Sequence, residues 1–147
     1  PRAAAFENRL KCCVAWGACY EFGPLAEMIA AGRTKKDLTG AHQLMLIFGT
    51  DTVEEAVAIG KKMTLKGILD RITCPLLVVH AENDRMTPDW HAERTLEEAV
   101  NSPNRTMKTF TREDGGVEHC QADNNRLGVE YIADWVAEVL GGDPKGV

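Results

Sequence analysis

Two residues of this chain stand where their chemistry could be used. The apolar run Pro75-Leu76-Leu77-Val78-Val79-His80 ends in Ala81-Glu82-Asn83-Asp84, and Gly115-Gly116-Val117-Glu118-His119 follows about one helix and one strand later. A carboxylate at the end of a strand, with a histidine loop after it, supplies the last two members of a Ser...Asp...His triad in that chain order. The histidine would move a proton to and from a nucleophile, and the carboxylate would fix its tautomer and stabilise the imidazolium. No Gly-x-Ser-x-Gly turn occurs in the 147 residues, so an acid and a base are present without a nucleophile. The spacing by itself fits an ordinary turn aspartate and a polar loop histidine equally well. His80, which closes the strand, and His91, in the following helix, are weaker candidates, and His42 has no supporting pattern.

The elements that must position this pair can be read from periodicity. Leu10 to Trp16 is short, apolar and stopped by Gly17, as a buried strand would be. Leu76 to Val79 is a continuous aliphatic run of the kind found in a parallel sheet covered on both faces. Thr106 to Thr111 alternates weakly and reads as a third strand. Thr87 before Pro88 marks a helix start, and Ala92, Leu96, Ala99 and Val100 continue it to Asn101-Ser102-Pro103. The last helix carries Leu127, Tyr131, Ile132, Trp135, Val136, Val139 and Leu140 as an apolar stripe before Gly141-Gly142. Strands alternating with helices imply right-handed crossovers and a parallel α/β sheet of about three strands. Asp84 and His119 then fall on loops at one rim of the sheet, where functional groups of such sheets collect.

A helical insertion interrupts this pattern. Residues 1–22 and 64–147 read as sheet core, and 23–63 as a helical cap: Leu25 to Ala31 is a short helix ended by Gly32, and Thr52-x-x-Glu55 is a capping box opening a helix through Lys62. Between them, Ala41 to Phe48 holds more apolar surface than a plain linker needs. Burial in a core explains it, and so would the lining of a substrate cavity.

Composition narrows the function. Hydrophobic residues make up 44% of the chain and the net charge is -5, with the two signs interspersed, so a globular domain is expected rather than a nucleic-acid binder. The basic run Arg33-Thr34-Lys35-Lys36 is small and lacks aromatic neighbours for base stacking. No membrane span, signal peptide, glycine-rich phosphate loop or metal-ligand spacing is visible, so neither a cofactor nor a metal is expected. Five cysteines, two of them adjacent at Cys12 and Cys13, show no C-x-x-C spacing. They are read as reduced, mostly buried thiols of a cytoplasmic protein.

The wording of two segments adds a resemblance. Ile72-Thr73-Cys74-Pro75-Leu76-Leu77-Val78-Val79-His80-Ala81-Glu82-Asn83-Asp84, together with Gly115-Gly116-Val117-Glu118-His119-Cys120-Gln121-Ala122-Asp123-Asn124, resembles the C-terminal half of α/β-hydrolases of the dihydropseudooxynicotine hydrolase type. Fungal polyketide-shortening hydrolases are similar. The resemblance extends over nearly the whole chain: Pro1-Arg2-Ala3-Ala4-Ala5 looks like the segment after a nucleophile elbow, and Thr64-Leu65-Lys66-Gly67 like the approach to the acid strand. It implies that Asp84 is the triad acid, that His119 is the general base, and that the serine belongs just upstream of Pro1. The bond broken would be carbon-carbon next to a ketone, or an ester, in a small-molecule substrate.

The chain departs from that family in lacking the nucleophile. Its only serine, Ser102, sits beside a helix-ending proline without an elbow and is read as structural. Cys12 and Cys13 lie in the expected strand and Cys120 directly follows the histidine, so none occupies the turn a cysteine nucleophile needs. By itself the chain is expected to be inactive, with the N-terminal half of the same protein as its partner. The competing expectation is a non-catalytic half-domain that binds a partner or pairs with itself through an open sheet edge.

Overall fold

The aliphatic run after Pro75 contains no charged side chain, so both of its faces can be buried, and it takes the central position in the sheet. A computed structural model describes residues 1–32 and 39–142, and the basic run Arg33-Thr34-Lys35-Lys36 lies outside the described residues. In chain order the elements are β1 (Cys13–Trp16), α1 (Phe22–Ala31), α2 (Thr39–Phe48), α3 (Val53–Gly60), β2 (Leu76–Ala81), α4 (Trp90–Glu98), β3 (Arg105–Phe110) and α5 (Asn125–Val139). Short 3-10 turns occupy Leu69–Arg71 and His119–Gln121. The strands form one parallel sheet in the order β1-β2-β3. Register runs from Cys13 opposite Leu76 on one side of β2, and from Leu76 opposite Arg105 on the other.

The chain divides into two compact units, Pro1–Cys19 with Gly67–Val147, and Tyr20–Lys66. In the first, all six residues of β2 are buried. Alternation along the strand turns Leu77 and Val79 toward one face. There they join Phe110 and Trp135 in a core that Leu127, Tyr131, Ile132, Val136 and Val139 of α5 cover. The helical stripe read from the sequence is therefore the face that packs, except for Leu140, which lies past the helix end and is exposed. The same alternation turns Leu76, Val78 and His80 to the opposite face.

The second unit is a three-helix cluster around Ala26, Leu44 and Ala56. The Thr52 hydroxyl accepts from the Glu55 N–H at 3.3 Å, forming the N-cap of α3 as its spacing implies. The apolar stretch Ala41 to Phe48 lies in the helix Thr39–Phe48 and contributes to a core, as its apolar content suggests. Ala41, Leu44, Met45 and Phe48 recur at helical spacing, and that stripe packs while Leu46 is left 84% exposed.

Other boundaries move for local reasons. β1 begins at Cys13 rather than Leu10, because the first ladder bond runs from the Cys13 N–H to the Pro75 carbonyl, where β2 is only beginning. α4 begins at Trp90, since the Thr87 hydroxyl is engaged elsewhere. The cysteines are less buried than expected: Cys74 is enclosed, but Cys12, Cys13, Cys19 and Cys120 are half-covered, and none forms a disulfide. For Cys12 and Cys13 the reason is their place at the edge of the sheet. No helix among the described residues is long and apolar enough to cross a membrane.

Leu77→Ala removes a fully buried side chain from the cluster between β2 and α5. It is expected to lower stability by about 2–5 kcal/mol, read as a shifted midpoint in urea denaturation.

Candidate active site

β2 runs out at Ala81, and the chain turns so that the Asp84 N–H donates to the Ala81 carbonyl at 3.1 Å. The turn brings the Asp84 side chain back into the protein, where it is only 1% exposed. A carboxylate removed from water needs donors, and the next three residues provide most of them. Oδ1 accepts from the N–H groups of Met86 and Thr87, both at 2.9 Å. Oδ2 accepts from the Thr87 hydroxyl at 2.7 Å and from His119 Nδ1 at 2.7 Å. Burial works against the charge, but the Thr87 hydroxyl and N–H, His119 and the Met86 N–H outweigh it and hold the carboxyl below its ordinary value.

His119 arrives from the loop after β3. Gly115 and Gly116 take φ of +80° and +71°, a left-handed turn that admits glycine most readily. The Asp123 carboxylate then accepts from the Val117 and Glu118 N–H groups, each at 3.0 Å. Glu118 joins this loop to the other one by accepting from Asn83 Nδ2 at 2.8 Å and pairing with Arg85 at 2.9 Å. A backbone bond from Asn83 N–H to the Val117 carbonyl at 3.0 Å closes the same seam.

Behind the histidine the backbone is strained. Cys120 and Gln121 both have positive φ, 52° and 50°, a conformation that costs a non-glycine residue about 1–2 kcal/mol. The Gln121 side chain, fully buried, compensates by bridging two strands. Its Oε1 accepts from Trp16 Nε1 at 2.6 Å, and its Nε2 donates to the His80 carbonyl at 3.2 Å. Gly17 ends β1 against the His119 ring, so close that a Cβ there would lie 2.7 Å from the ring's Cε1.

The result is an imidazole of set orientation. Because a carboxylate can only accept, Nδ1 carries the proton and Nε2 presents a bare lone pair. None of the described residues hydrogen-bonds Nε2, and the His119 side chain is 30% exposed. Such a group can take a proton from a neighbouring hydroxyl while Asp84 steadies the charge that develops.

Of the residues singled out in the sequence, Asp84 and His119 meet directly. Ser102 does not approach them. Its hydroxyl donates to the carbonyls of Cys74 and Asn104, at the opposite end of β2 from Asp84. His42 is exposed on α2, and His91 is buried and stacked on Trp90 at 3.7 Å. Cys120 lies near the site, but burial first and the Asp84 charge second push its thiol up, the reverse of what a thiolate nucleophile requires. Among the described residues no group of three or more His, Cys, Asp or Glu side chains could hold a metal ion.

Sequence reasoning passed over Thr87, Gln121, Trp16 and Gly17. The Asp84-x-x-Thr87 spacing, typical of a side chain closing a turn on following N–H groups, was a usable signal for Thr87. For Gln121 there was none, because its partner Trp16 lies 105 residues away.

Comparison with solved structures places the fold of the chain in a wider group. The chain superposes on AbyA5 with a TM-score of 0.69 and 21% identity, over 98% of its own length and 40% of AbyA5. On the structure named as 2,6-dihydroxy-pseudo-oxynicotine hydrolase the TM-score is 0.65 with 25% identity, over 98% of this chain and 38% of that one. A hydrolase from Pseudomonas aeruginosa PA01 gives 0.57 and 20%, over 96% and 60%. These are α/β-hydrolase fold members, and the chain has part of that fold. It spans about two fifths of the length of the first two. No protein-family model matches the sequence, and no curated protein matches it.

Two outcomes follow from the site. Gly17→Ala should push the His119 ring away from Asp84, seen as loss of the low-field Nδ1 proton resonance of His119 in NMR spectra. The lowered Asp84 carboxyl should contribute stability that is complete above its ordinary value of 3.8 and is lost as pH falls below that through the folded-state value. Asp84→Asn should remove this share of the acid loss, measured by thermal melts between neutral and strongly acidic pH.

Proposed function

We propose that the chain is the C-terminal part of a serine hydrolase of the α/β-hydrolase fold, in which Asp84 is the acid and His119 the general base. The observation that carries this reading is the 2.7 Å bond from His119 Nδ1 to a buried carboxylate, with Nε2 left bare. Solved hydrolases of the same fold support it as an analogy of fold.

In this reading the nucleophilic serine belongs to a part of the protein upstream of Pro1. His119 Nε2 takes its proton, and the serine oxygen attacks the substrate carbonyl. The tetrahedral adduct collapses by breaking the bond to the leaving group, which departs with the electron pair and receives the proton from His119. Water, deprotonated by His119, then cleaves the acyl-enzyme. The leaving atom is oxygen in an ester, or carbon where a neighbouring ketone can accommodate the electron pair. The resemblance of residues 72–84 and 115–124 to hydrolases of the dihydropseudooxynicotine type motivates the second choice.

The test uses the whole protein. A fluorophosphonate probe should label one serine upstream of Pro1, and His119→Ala should lower kcat/KM by about three orders of magnitude with an unchanged circular dichroism spectrum. Unimpaired turnover in His119→Ala would remove it from the base role. Comparing ester hydrolysis with carbon-carbon cleavage of ketone-flanked substrates distinguishes the two reactions.

A second reading rests on the sheet edge. Cys13 and Gly17 donate their N–H groups to β2, so the alternating Val14 and Trp16 point theirs outward, and among the described residues none pairs with them. An edge of this kind recruits another strand, from the rest of the protein or from a second copy. The isolated chain should accordingly sediment as an oligomer or melt without cooperativity. A monomer with a sharp melt would count against this reading.

A further inference from the structure

His80 is a fully buried imidazole that has no task in the acyl transfer described above. It is the last residue but one of β2, four residues before Asp84, and faces carboxylates on both sides. Nε2 lies 2.9 Å from Asp89 Oδ1 at the start of α4. Nδ1 lies 4.0 Å from Asp84 Oδ2, the same oxygen that His119 and Thr87 hydrogen-bond, and it has no hydrogen-bond partner of its own.

Because Asp89 can only accept, the proton of a neutral His80 must sit on Nε2, and Nδ1 is then a bare lone pair. The alternative tautomer would have the opposite effect on the site. A proton on Nδ1 would be drawn toward Asp84 Oδ2 across a gap that a small movement closes. It would then compete with His119 for that oxygen.

We infer that His80 is a positioning residue for the Asp84–His119 pair: Asp89 pins it as the Nε2–H tautomer, so the nitrogen facing Asp84 has no proton to offer and Oδ2 is left to His119. The inference rests on the reading of these two residues as acid and base. One short segment, His80-x-x-x-Asp84-x-x-Thr87-x-Asp89, holds every member of the arrangement except His119. The hydrogen bond made by one ring nitrogen commonly sets the tautomer of a functional histidine, and here the constraint is applied one residue further out.

Long-range proton-nitrogen NMR of the intact gene product tests this. His80 should show a protonated Nε2 and a bare Nδ1, and His119 the reverse, with its Nδ1 proton at low field. In Asp89→Ala, His80 should lose its single tautomer, and the His119 Nδ1 proton should move upfield and exchange several-fold faster with solvent. Asp89→Asn retains an oxygen acceptor and should restore the parent pattern. The Asp89 side chain is 70% exposed, so its removal disturbs little packing. A proton on His80 Nδ1 in the parent protein, or an unchanged His119 signal in Asp89→Ala, would overturn the inference without any variant of His80. If the parent His119 instead lacks its Nδ1 proton, the acid-base reading itself fails first, and the two failures are told apart in one spectrum.

Discussion

A carboxylate that has left water must be met by donors inside the fold, and Asp84 sets this requirement for everything around it. Its side chain is 1% exposed, and leaving such a charge unpaired would cost more than a single domain can spare. Four donors converge on its two oxygens. Three of them come from Met86 and Thr87, so the chain after β2 cannot enter a helix until those groups have turned inward. That is why α4 begins at Trp90 and Thr87 does not cap it.

The fourth donor is His119, and its presence on that oxygen requires the loop after β3 to be held against the loop after β2. Several weak ties do this together. Glu118 reaches Asn83 and Arg85, Asp123 collects two N–H groups of its own loop, and Gln121 bridges Trp16 and the His80 carbonyl. An exposed ion pair such as Arg85 with Glu118 contributes little alone. The buried bonds of Gln121 matter more, because they offset the left-handed backbone at Cys120 and Gln121. Close packing finishes the positioning: Gly17 and Gly128 leave no room for a side chain beside His119 and Trp16.

These constraints keep a histidine nitrogen bare at the rim of a three-stranded parallel sheet. The sheet's central strand is completely buried, while among the described residues β1 has a neighbour on one side only. Among the described residues, the groups that hold Asp84 and His119 belong to the unit that contains this sheet. Their geometry is decided within residues 1–19 and 67–142, by interactions among β1, β2, β3 and their loops.

Much of the architecture was legible from the chain because it depends on local pattern. The aliphatic run at Leu76 to Val79, the stripe on α5 and the Thr52-Glu55 cap each declare a structure through periodicity or spacing, and each appears where that pattern places it. Ala41 to Phe48 could be read as core-forming, but its helix could not be delimited, because the stripe is short and interrupted by apolar residues that remain exposed. The order of Asp84 and His119 was visible too, along with the absence of a serine turn. What spacing could not determine was that Asp84 Oδ2 lies 2.7 Å from His119 Nδ1, nor that Gln121, Trp16, Gly17 and His80 enforce it. Those contacts join residues up to 105 positions apart, and only the tertiary fold, by burying one carboxylate among them, decides which side chains must satisfy it.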